Sequence, residues 1–229
     1  MEAESGDSIP LDGMSIVFVD KILSPSVVRS KGIRVKESDI AILVERARAG
    51  NRSSFERLVS MFQSDIFRMA YYRTRSRMDA EDLTQDIFIN AFKGLHKLKD
   101  VNSFKPWLFR IALNRVHDFH RKKRILVFLR NEGDDDEFEQ AESEIYEDPQ
   151  SINHLIKEEF WMHISRFVGK LSRLEREAFI LRFLDQLSIK EMARVLKKSE
   201  STVKTHLYRA IGKFKNNPEI ISRLKGETP

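Results

Sequence analysis

A run of ten acidic residues without one basic residue interrupts this chain of 229 residues and constrains its fold more than any other feature. The run covers 131–148, and its acids are Glu132, Asp134, Asp135, Asp136, Glu137, Glu139, Glu142, Glu144, Glu147 and Asp148. Such a segment repels itself and can bury little apolar surface, so we predict a flexible linker closed by Pro149. A solvated acidic loop inside one domain is the alternative.

The distribution of charge predicts two basic bodies on either side of this linker. The whole chain carries +5 and the run carries −10, so the other residues together carry +15. We therefore predict five segments: a weakly ordered N-terminal extension over 1–36, a domain over 37–130, the acidic linker over 131–150, a second domain over 151–217 and a tail over 218–229. Segment Ser15–Asp20 could instead form a strand.

Composition excludes several classes of protein. The chain has no cysteine, which rules out disulfides, thiol catalysis and a Cys-based zinc site. Its longest apolar run, Met14–Val19, is far shorter than the roughly 18 residues of a membrane span, and its N-terminus lacks the basic start of a secretory signal. We expect a cytoplasmic protein without membrane insertion. With no nucleophile–base set, and His117 and His120 only an isolated pair, we expect neither an enzyme nor a metal or other cofactor.

Apolar residues recur at helical spacing in both bodies, which predicts an all-α protein of two small helical domains. In the first body we predict helices at Asp39–Ala49, at Ser54–Tyr72, from an N-cap at Asp79 to about Leu98, and from a first turn at Pro106 to Arg124. In the second body Ile152–Lys170 is amphipathic, and capping boxes at Ser172 and Ser188 open helices to about Leu184 and Leu196.

The end of the second body has the pattern of a helix-turn-helix. Helix 189–196 is followed by a break at Lys197–Ser199 and by a helix, capped by Ser199 or Ser201, to about Lys215. Eight basic residues against two acids in Ser188–Lys215 would attract a phosphate backbone. The outward residues are Ser201, Thr202, Lys204, Thr205, His206, Tyr208 and Arg209. A helical hairpin with a solvated basic face is the alternative, and the turn lacks a glycine, so a lysine must adopt it.

Two segments of the first body have further patterns. Acids and an amide line the start of the third predicted helix (Asp79, Glu81, Asp82, Gln85, Asp86), where they could dock a basic helix or, as composition alone favours, complement the helix dipole. Segment Lys99–Arg124 interleaves aromatic and basic residues, which suits single-stranded DNA. We expect Phe92, Trp107 and Phe119 in the core and Phe104, which lies in a polar break, in contact with bases.

The order of these elements resembles the sigma-70 family of bacterial transcription initiation factors. The motifs that carry the resemblance are DAEDLTQDIFINAFKGLHKL (79–98), FKPWLFRIALNRVHDFHRKKR (104–124) and LSRLEREAFILRFLDQLSIKEMARVLKKSESTVKTHLYRAIGKFK (171–215). Only two domains are visible, which places the chain with the extracytoplasmic-function (ECF) group. The long N-terminal extension and the unusually acidic linker depart from the family pattern.

The resemblance implies a function and a set of site residues. It implies a subunit that joins the RNA polymerase core through the clamp helices of the largest subunit and the flap, recognises the −35 and −10 elements of promoter DNA, and stabilises the melted strand. An anti-sigma factor is a further partner that many members have. Core binding is expected at Asp82, Leu83, Gln85, Asp86 and Phe88. Recognition of the −10 element is expected at Asn102, Ser103, Phe104, Lys105, Trp107, Arg110, Asn114 and Arg115. Recognition of the −35 element is expected at Ser201, Thr202, Lys204, Thr205, Tyr208 and Arg209.

One alternative function is a helix-turn-helix regulator that binds DNA independently of the polymerase core. Such a regulator needs a sensor or dimerisation domain, and the basic, aromatic last helix of the first body argues against that role. Co-purification with core polymerase separates the two functions.

Overall fold

The computed structural model describes residues 37–130 and 163–217, and the side chains of 39–125 and 163–217. These residues form α-helices joined by short turns and contain no strand, which confirms the predicted all-α class. The predicted extension, its candidate strand, the acidic linker, the first part of Ile152–Lys170 and the tail lie outside the described residues. Contacts within the chain divide it into two compact units, which we describe separately.

Four helices build the first unit. They are α1 (Glu37–Arg48), α2 (Arg52–Thr74), α3 (Arg77–Gly94) and α4 (Phe104–Arg130), with 3₁₀ turns at Leu95–Lys97 and Val101–Ser103 between the last two. The helix α2 is central, because it packs against α1, α3 and α4. All four helices predicted for this body are present, and Pro106 lies in the first turn of its helix, where its missing N–H costs nothing.

Local chemistry at the helix ends explains most of these bounds. Asn51 caps α2, since its side chain accepts the N–H of Ser54 at 2.9 Å. Arg75 adopts the left-handed conformation (φ 58°) and donates its N–H to the Tyr71 carbonyl at 2.8 Å, which ends α2. Ser76 then caps α3 by accepting the N–H of Asp79 at 3.2 Å. The predicted cap at Asp79 is therefore wrong: Asp79 lies within the first turn and is itself capped.

The core of the first unit follows the predicted stripes. Its fully buried side chains come from all four helices: Val44, Leu58, Ile66, Met69, Ile87, Leu108, Phe109 and Ala112. Burying one such large side chain contributes about 1.5–3 kcal/mol. This packing fixes the rotation of α3 and α4, and so determines which of their side chains face solvent.

The second unit contains residues 163–169, which are helical (α5), with α6 (Arg173–Phe183) and α8 (Glu200–Lys215). The helix α7 (Ile189–Leu196) lies between α6 and α8 in the sequence and has the bounds predicted from sequence. Ser172 and Glu175 form the predicted capping box, in which Glu175 Oε2 accepts the Ser172 N–H at 3.0 Å. Four phenylalanines make the core of this unit, with ring centroids 4.8–5.7 Å apart: Phe167, Phe179, Phe183 and Phe214.

Candidate DNA- and protein-binding surfaces

One side of α3 is exposed and combines acids with large apolar side chains. The candidate residues Asp82, Gln85 and Asp86 lie on it, exposed to solvent. Met78 and Ile89, which the sequence reasoning missed, are on the same side and are 71% and 50% exposed. The spacing of three to four residues puts all five on one helical face. We call this set, Met78, Asp82, Gln85, Asp86 and Ile89, the α3 face.

Two candidates on this helix point the other way. Leu83 and Phe88 are only 8% and 7% exposed, because they belong to the buried stripe that packs into the unit. The structure therefore brings three of the five candidate core-binding residues to the surface and leaves two in the core. Phe92 was expected in the core but is 53% exposed, with its ring edge-on to Phe55 at a centroid distance of 5.0 Å.

The position of the acids along α3 bears on the helix-dipole alternative. Favourable interaction with the dipole is confined to the first turn of a helix. Asp79 lies in that turn, whereas Asp82 and Asp86 lie one and two turns further along. Glu81 is engaged in an ion pair with Arg77 at 2.8 Å. Dipole compensation accounts for Asp79, and it leaves the two exposed acids of the α3 face without a local role.

A short turn between α3 and α4 presents the first −10 candidates. Asp100 organises this turn, since its carboxylate accepts the Asn102 N–H at 3.0 Å and the Ser103 hydroxyl. The Ser103 hydrogen bond, followed by that of Asn102, holds the pKa of Asp100 below its usual value. Asn102 is exposed at the tip and Ser103 is half-buried. Asp100 was not among the predicted residues, although an Asp two residues before Asn102 is a recognisable turn signal.

The start of α4 differs from expectation at one aromatic residue. Phe104, expected to contact bases, is 1% exposed and packs against Phe62 and Trp107, with centroids 5.5 and 5.9 Å away. The physical reason is that α4 begins at Phe104, which puts its ring in line with the buried Leu108 and Ala112. Its ring has no free face for a base in this structure.

Three of the remaining −10 candidates, Trp107, Arg110 and Asn114, share one side of α4, and Lys105 and Arg115 lie on other sides. Trp107 and Arg110 are half-buried and Asn114 is exposed, and their spacing of three and four residues aligns them along the helix. Lys105 and Arg115 are half-buried at the two ends of this stretch. Trp107 and Phe119, expected inside, are also only half-buried. The indole of Trp107 rests against Gly94, where a Cβ would lie 3.4 Å from the ring.

The turn between α7 and α8 is built as its sequence requires. Lys197 is left-handed (φ 53°), and Lys198 donates its N–H to the Ala193 carbonyl at 3.1 Å, which is the Schellman end of a helix. The prediction that a lysine adopts this turn is confirmed. Ser199, one of the two predicted caps, accepts the Thr202 N–H at 3.2 Å and starts α8.

The outer side of α8 carries the −35 candidates. Ser201, Lys204, Thr205 and Arg209 are exposed, while Thr202 and Tyr208 are half-buried at the edges of the face. The Thr205 hydroxyl donates to the Ser201 carbonyl at 3.0 Å, which fixes that side chain. Opposite this face, Val203, Leu207, Ala210 and Ile211 are buried. All six candidates are thus on one solvent-facing side of one helix.

A charged contact anchors α8 to the start of α6. Glu175, which is 5% exposed, receives a hydrogen bond from Lys213 Nζ at 2.7 Å in addition to the Ser172 N–H. The Lys213 contact is the main cause of a pKa for Glu175 below its usual value. The carboxylate therefore stays charged where it is buried, and it ties the end of the recognition face to the aromatic core.

Two features are absent from the described part of the chain. Across 37–130 and 163–217, no helix is long and apolar enough to cross a membrane. The same residues contain no group of three or more His, Asp or Glu side chains placed to hold a metal ion.

Comparison with known proteins matches both units to family models. Residues 58–125 match sigma-70 region 2, and residues 162–214 match sigma-70 region 4, which together cover just over half of the chain. The region 2 match contains the α3 face and the −10 candidates, and the region 4 match contains α6, α7 and nearly all of α8.

Relatives with curated names include sigma factors of the ECF group. The chain is 33% identical over 172 residues to the ECF RNA polymerase sigma factor BldN of Streptomyces coelicolor, an alignment that covers 74% of this chain and 62% of BldN. It is 27% identical over 169 residues to SigW of Bacillus subtilis, covering 72% of this chain and 89% of SigW. The chain thus spans less than two thirds of BldN and most of SigW.

A solved structure shares the fold. The sigma factor RpoE from Bartonella quintana, crystallised with the anti-sigma factor NepR, superposes with a TM-score of 0.56 at 21% identity over 73% of this chain and 96% of that one. Two family models in the expected order, ECF relatives and the shared fold agree with the motifs read from the sequence. The chain belongs to the sigma-70 family, in its extracytoplasmic-function group.

Proposed function

We propose that this chain is a promoter-specificity subunit, which binds the RNA polymerase core and directs initiation at promoters by recognising their −35 and −10 elements. The observation that carries the proposal is the pair of exposed polar and basic helix faces, on α4 and α8, in a chain whose two units match sigma-70 regions 2 and 4. The core supplies the catalysis, so the chain itself is not an enzyme. It acts with polymerase in the cytoplasm.

Recognition of the −35 element is assigned to the outer face of α8. A helix of this kind fits the major groove, where an arginine can bond the O6 and N7 of guanine with two hydrogen bonds. Arg209 is exposed nearly three turns from the Ser199 cap, and its long side chain suits this contact. Ser201 and Lys204 are exposed nearer the start of the helix and suit phosphates.

Melting and recognition of the −10 element are assigned to the turn at 100–103 and the adjoining side of α4. Asn102 is presented on a turn that Asp100 holds in place, so its backbone is ordered before DNA arrives. Trp107, half-buried beside it, offers part of an indole surface, and Arg110 and Arg115 supply charge for phosphates. Capture of an unstacked base at such a site can offset a few kcal/mol of melting. Phe104 supports this turn from inside the unit.

Binding to the polymerase core is assigned to the α3 face. Exposed acids flanked by apolar side chains suit a helix with basic and apolar residues, such as the clamp helices of the largest subunit. Leu83 and Phe88 contribute by packing α3 in the correct rotation. The region 4 unit is assigned to the flap. An anti-sigma factor is proposed as a further partner, because the Bartonella quintana relative was solved with one.

Run-off transcription with purified core polymerase over a randomised promoter library tests the function directly. The expected result is selection of one −35 and −10 pair at a fixed spacing, and transcription that depends on the chain. A protein that fails to co-purify with core, yet binds a specific duplex alone, would instead be an independent helix-turn-helix regulator.

An arginine substitution tests the −35 assignment in the same assay. Arg209→Ala is expected to weaken recognition by about 1–3 kcal/mol at one base pair and to relax the preference at that position only. Lys204→Ala, which removes a residue assigned above to phosphates, is the control, because loss of a simple phosphate contact lowers affinity evenly across sequences. An unchanged −35 preference in the Arg209 variant contradicts the assignment.

A further inference from the structure

The helix α1 lies outside the residues matched to sigma-70 region 2, and the assignments above give it no role. The match begins at residue 58, after the end of α1 at Arg48. One side of α1 is buried in the first unit through Val44 and Ala47. Its last turn carries two cations, Arg46 and Arg48, and both are exposed. What α1 contributes therefore depends on the elements that it contacts.

The contacts of α1 lead to the segment that carries the first −10 candidates. Besides α2, α1 packs against both 3₁₀ turns between α3 and α4. Leu95 and Leu98, in the same segment, are only 3% and 6% exposed, so the segment is anchored inside the unit at these points. The turn at 100–103, which presents Asn102, therefore packs against α1 as well as against α4.

A side-chain hydrogen bond joins α1 to the backbone of this segment. Arg48 Nη1 donates to the Leu98 carbonyl at 3.2 Å, across 50 positions of the sequence. Leu98 follows the first 3₁₀ turn in an extended conformation (φ −72°, ψ 109°), so its carbonyl does not continue a helical series of hydrogen bonds. A charged donor makes a stronger hydrogen bond than a neutral one. Arg48 thus holds the backbone two residues before Asp100.

The −10 turn is held at two successive points. The Asp100 carboxylate accepts the Asn102 N–H at 3.0 Å and the Ser103 hydroxyl, which are local bonds that fix the shape of the turn. The bond from Arg48 to Leu98 is long-range, and it fixes where the turn lies on the unit. Both are needed, because a turn of the right shape in the wrong place would not present Asn102 to a base.

Resting on the function proposed above, we infer that Arg48 is a positioning residue for the −10 site, which acts through the Leu98 carbonyl to place the turn that presents Asn102 to an unstacked base. Arg48 contacts no base itself. Its role matters because a site that is about 1 Å out of place loses much of its function. A direct contact of Arg48 with a DNA phosphate is the competing role, and the experiment below separates the two.

The expected size of the effect is that of a single hydrogen bond. A hydrogen bond of this kind changes an equilibrium by about three- to tenfold. Arg48 is exposed, so water can replace part of what its removal takes away, and the unit should stay folded without it. Discrimination at the base read by the turn should fall by the same factor. Bases read from the side of α4 should be affected much less.

The experiment measures the affinity of the full chain, bound to core polymerase, for short duplexes in which the non-template strand of the −10 element is unpaired. The probes carry the sequence selected in the run-off library, or that sequence with one base changed at each −10 position in turn. Asn102→Ala first identifies the position that the turn reads, as the one where the preference relaxes. Arg48→Ala is then compared with wild type at every position.

Two further variants serve as controls. Arg48→Lys keeps the charge and a donor of similar reach, and so tests rescue of the hydrogen bond. Arg46→Ala removes the other exposed cation of the last turn of α1. Since both arginines lie in that turn, removing either one has a similar effect on the net charge and on the interaction with the helix dipole. Only the bond to Leu98 distinguishes them in this design.

The expected loss is confined to one base. Arg48→Ala loses about three- to tenfold of the discrimination at the position read by Asn102, and no more than about twofold elsewhere. Arg48→Lys recovers much of that loss, and Arg46→Ala matches wild type. Affinity for core is unchanged in every variant. The slope of log affinity against log salt also stays the same, whereas loss of a contact with a single-strand phosphate would make it shallower by about 0.7.

Several results would overturn the inference. They are an Arg48→Ala variant with unchanged discrimination, an equal loss at every position, a shallower salt slope, or the same loss in Arg46→Ala. A lysine variant no better than the alanine variant, or an Arg48→Ala variant that no longer binds core, also contradicts it. If wild type prefers no base, or if Asn102→Ala relaxes no position, the −10 assignment itself fails, which is a distinguishable outcome.

Discussion

At the scale of single residues, the carboxylate of Asp100 orders the turn that precedes α4. One carboxylate accepts two hydrogen bonds and so fixes a three-residue turn that carries the exposed Asn102. An ordered turn loses less entropy when it receives a base than a mobile one does. The position of Asn102 therefore depends on the carboxylate of Asp100.

Replacing Asp100 by Ala should loosen the turn while leaving the unit folded. The turn loses both hydrogen bonds of the carboxylate, and we expect a several-fold slower opening of the −10 element. Fluorescence of 2-aminopurine placed in the −10 element measures that opening. Asp100→Asn, which keeps an acceptor oxygen, is the control and should remain near wild type. Normal opening by Asp100→Ala would contradict this role for the turn.

Lys197 is a second residue of interest, because its backbone conformation affects the stability of the chain. Its left-handed conformation costs a non-glycine residue about 1–2 kcal/mol, so Lys197→Gly should stabilise the chain by about 0.5–1 kcal/mol after the greater freedom of glycine in the unfolded state is included. Urea unfolding measures the change. Lys198→Gly is the matched control, because that residue has no positive φ, and it should give no gain. Equal effects of the two substitutions would contradict the argument.

At the scale of elements, the sequence predicted the helices well and their ends less well. The apolar stripes of α1 to α4 were visible because helix packing requires them. The start of α3 was misassigned because a non-glycine residue, Arg75, takes the left-handed turn before Ser76. Periodicity carries no sign of that conformation. Phe104 was misplaced for a related reason, since α4 begins two residues before its proline.

The candidate site was predictable in part for the same reason. The exposure of Arg209, Thr205 and Asn114 was predictable because their polar chemistry and their outward spacing coincide in the sequence. Leu83 and Phe88 were grouped with the acids through the family motif, and only packing shows that they face inward. Met78 and Ile89 were missed because exposed apolar side chains give no periodic signal of their own.

The Glu175–Lys213 contact permits a prediction about α6 and α8. Because the pKa of Glu175 is lowered in the folded chain, its stabilisation is present above the unfolded value of about 4.3 and is lost as pH falls through the folded value. Glu175→Gln should cost about 1 kcal/mol at pH 7, a small figure because Lys213 is 53% exposed, and almost nothing at pH 3. Urea unfolding followed by circular dichroism at both pH values measures it.

The control for this prediction is Glu200→Gln, which removes an exposed acid from the first turn of α8. It should show no comparable loss at pH 7. If the Glu175→Gln variant loses as much free energy of unfolding at pH 3 as at pH 7, Glu175 stabilises the chain through its packing and not through its charge.

At the scale of the whole molecule, core binding and promoter recognition should be separable by substitution. Asp86→Asn removes one charge from the α3 face, and we expect core affinity to fall about five- to tenfold, because a charge at a docking face is worth about 1 kcal/mol or more. Promoter preference, which we assign to α4 and α8, should stay the same in the complexes that form. Fluorescence anisotropy with labelled chain and core measures the affinity.

Two controls define that result. Glu56→Gln, an exposed acid at the start of α2, should leave core affinity unchanged. Leu83→Ala, from the buried stripe of the same helix, should instead lower the free energy of unfolding by about 2–5 kcal/mol. If Asp86→Asn alters promoter preference without changing core affinity, the α3 face has been assigned to the wrong partner.

The packing of Trp107 against Gly94 and Phe104 has a practical consequence. Its indole is half-buried beside the turn at 100–103, in the position where entry of a base would alter the polarity around the ring. The chain has two tryptophans, so Trp161→Phe would leave Trp107 as a single intrinsic fluorophore. On the −10 assignment proposed above, Trp107 is a built-in optical reporter of promoter opening, and stopped-flow emission would follow that opening without a label on the DNA.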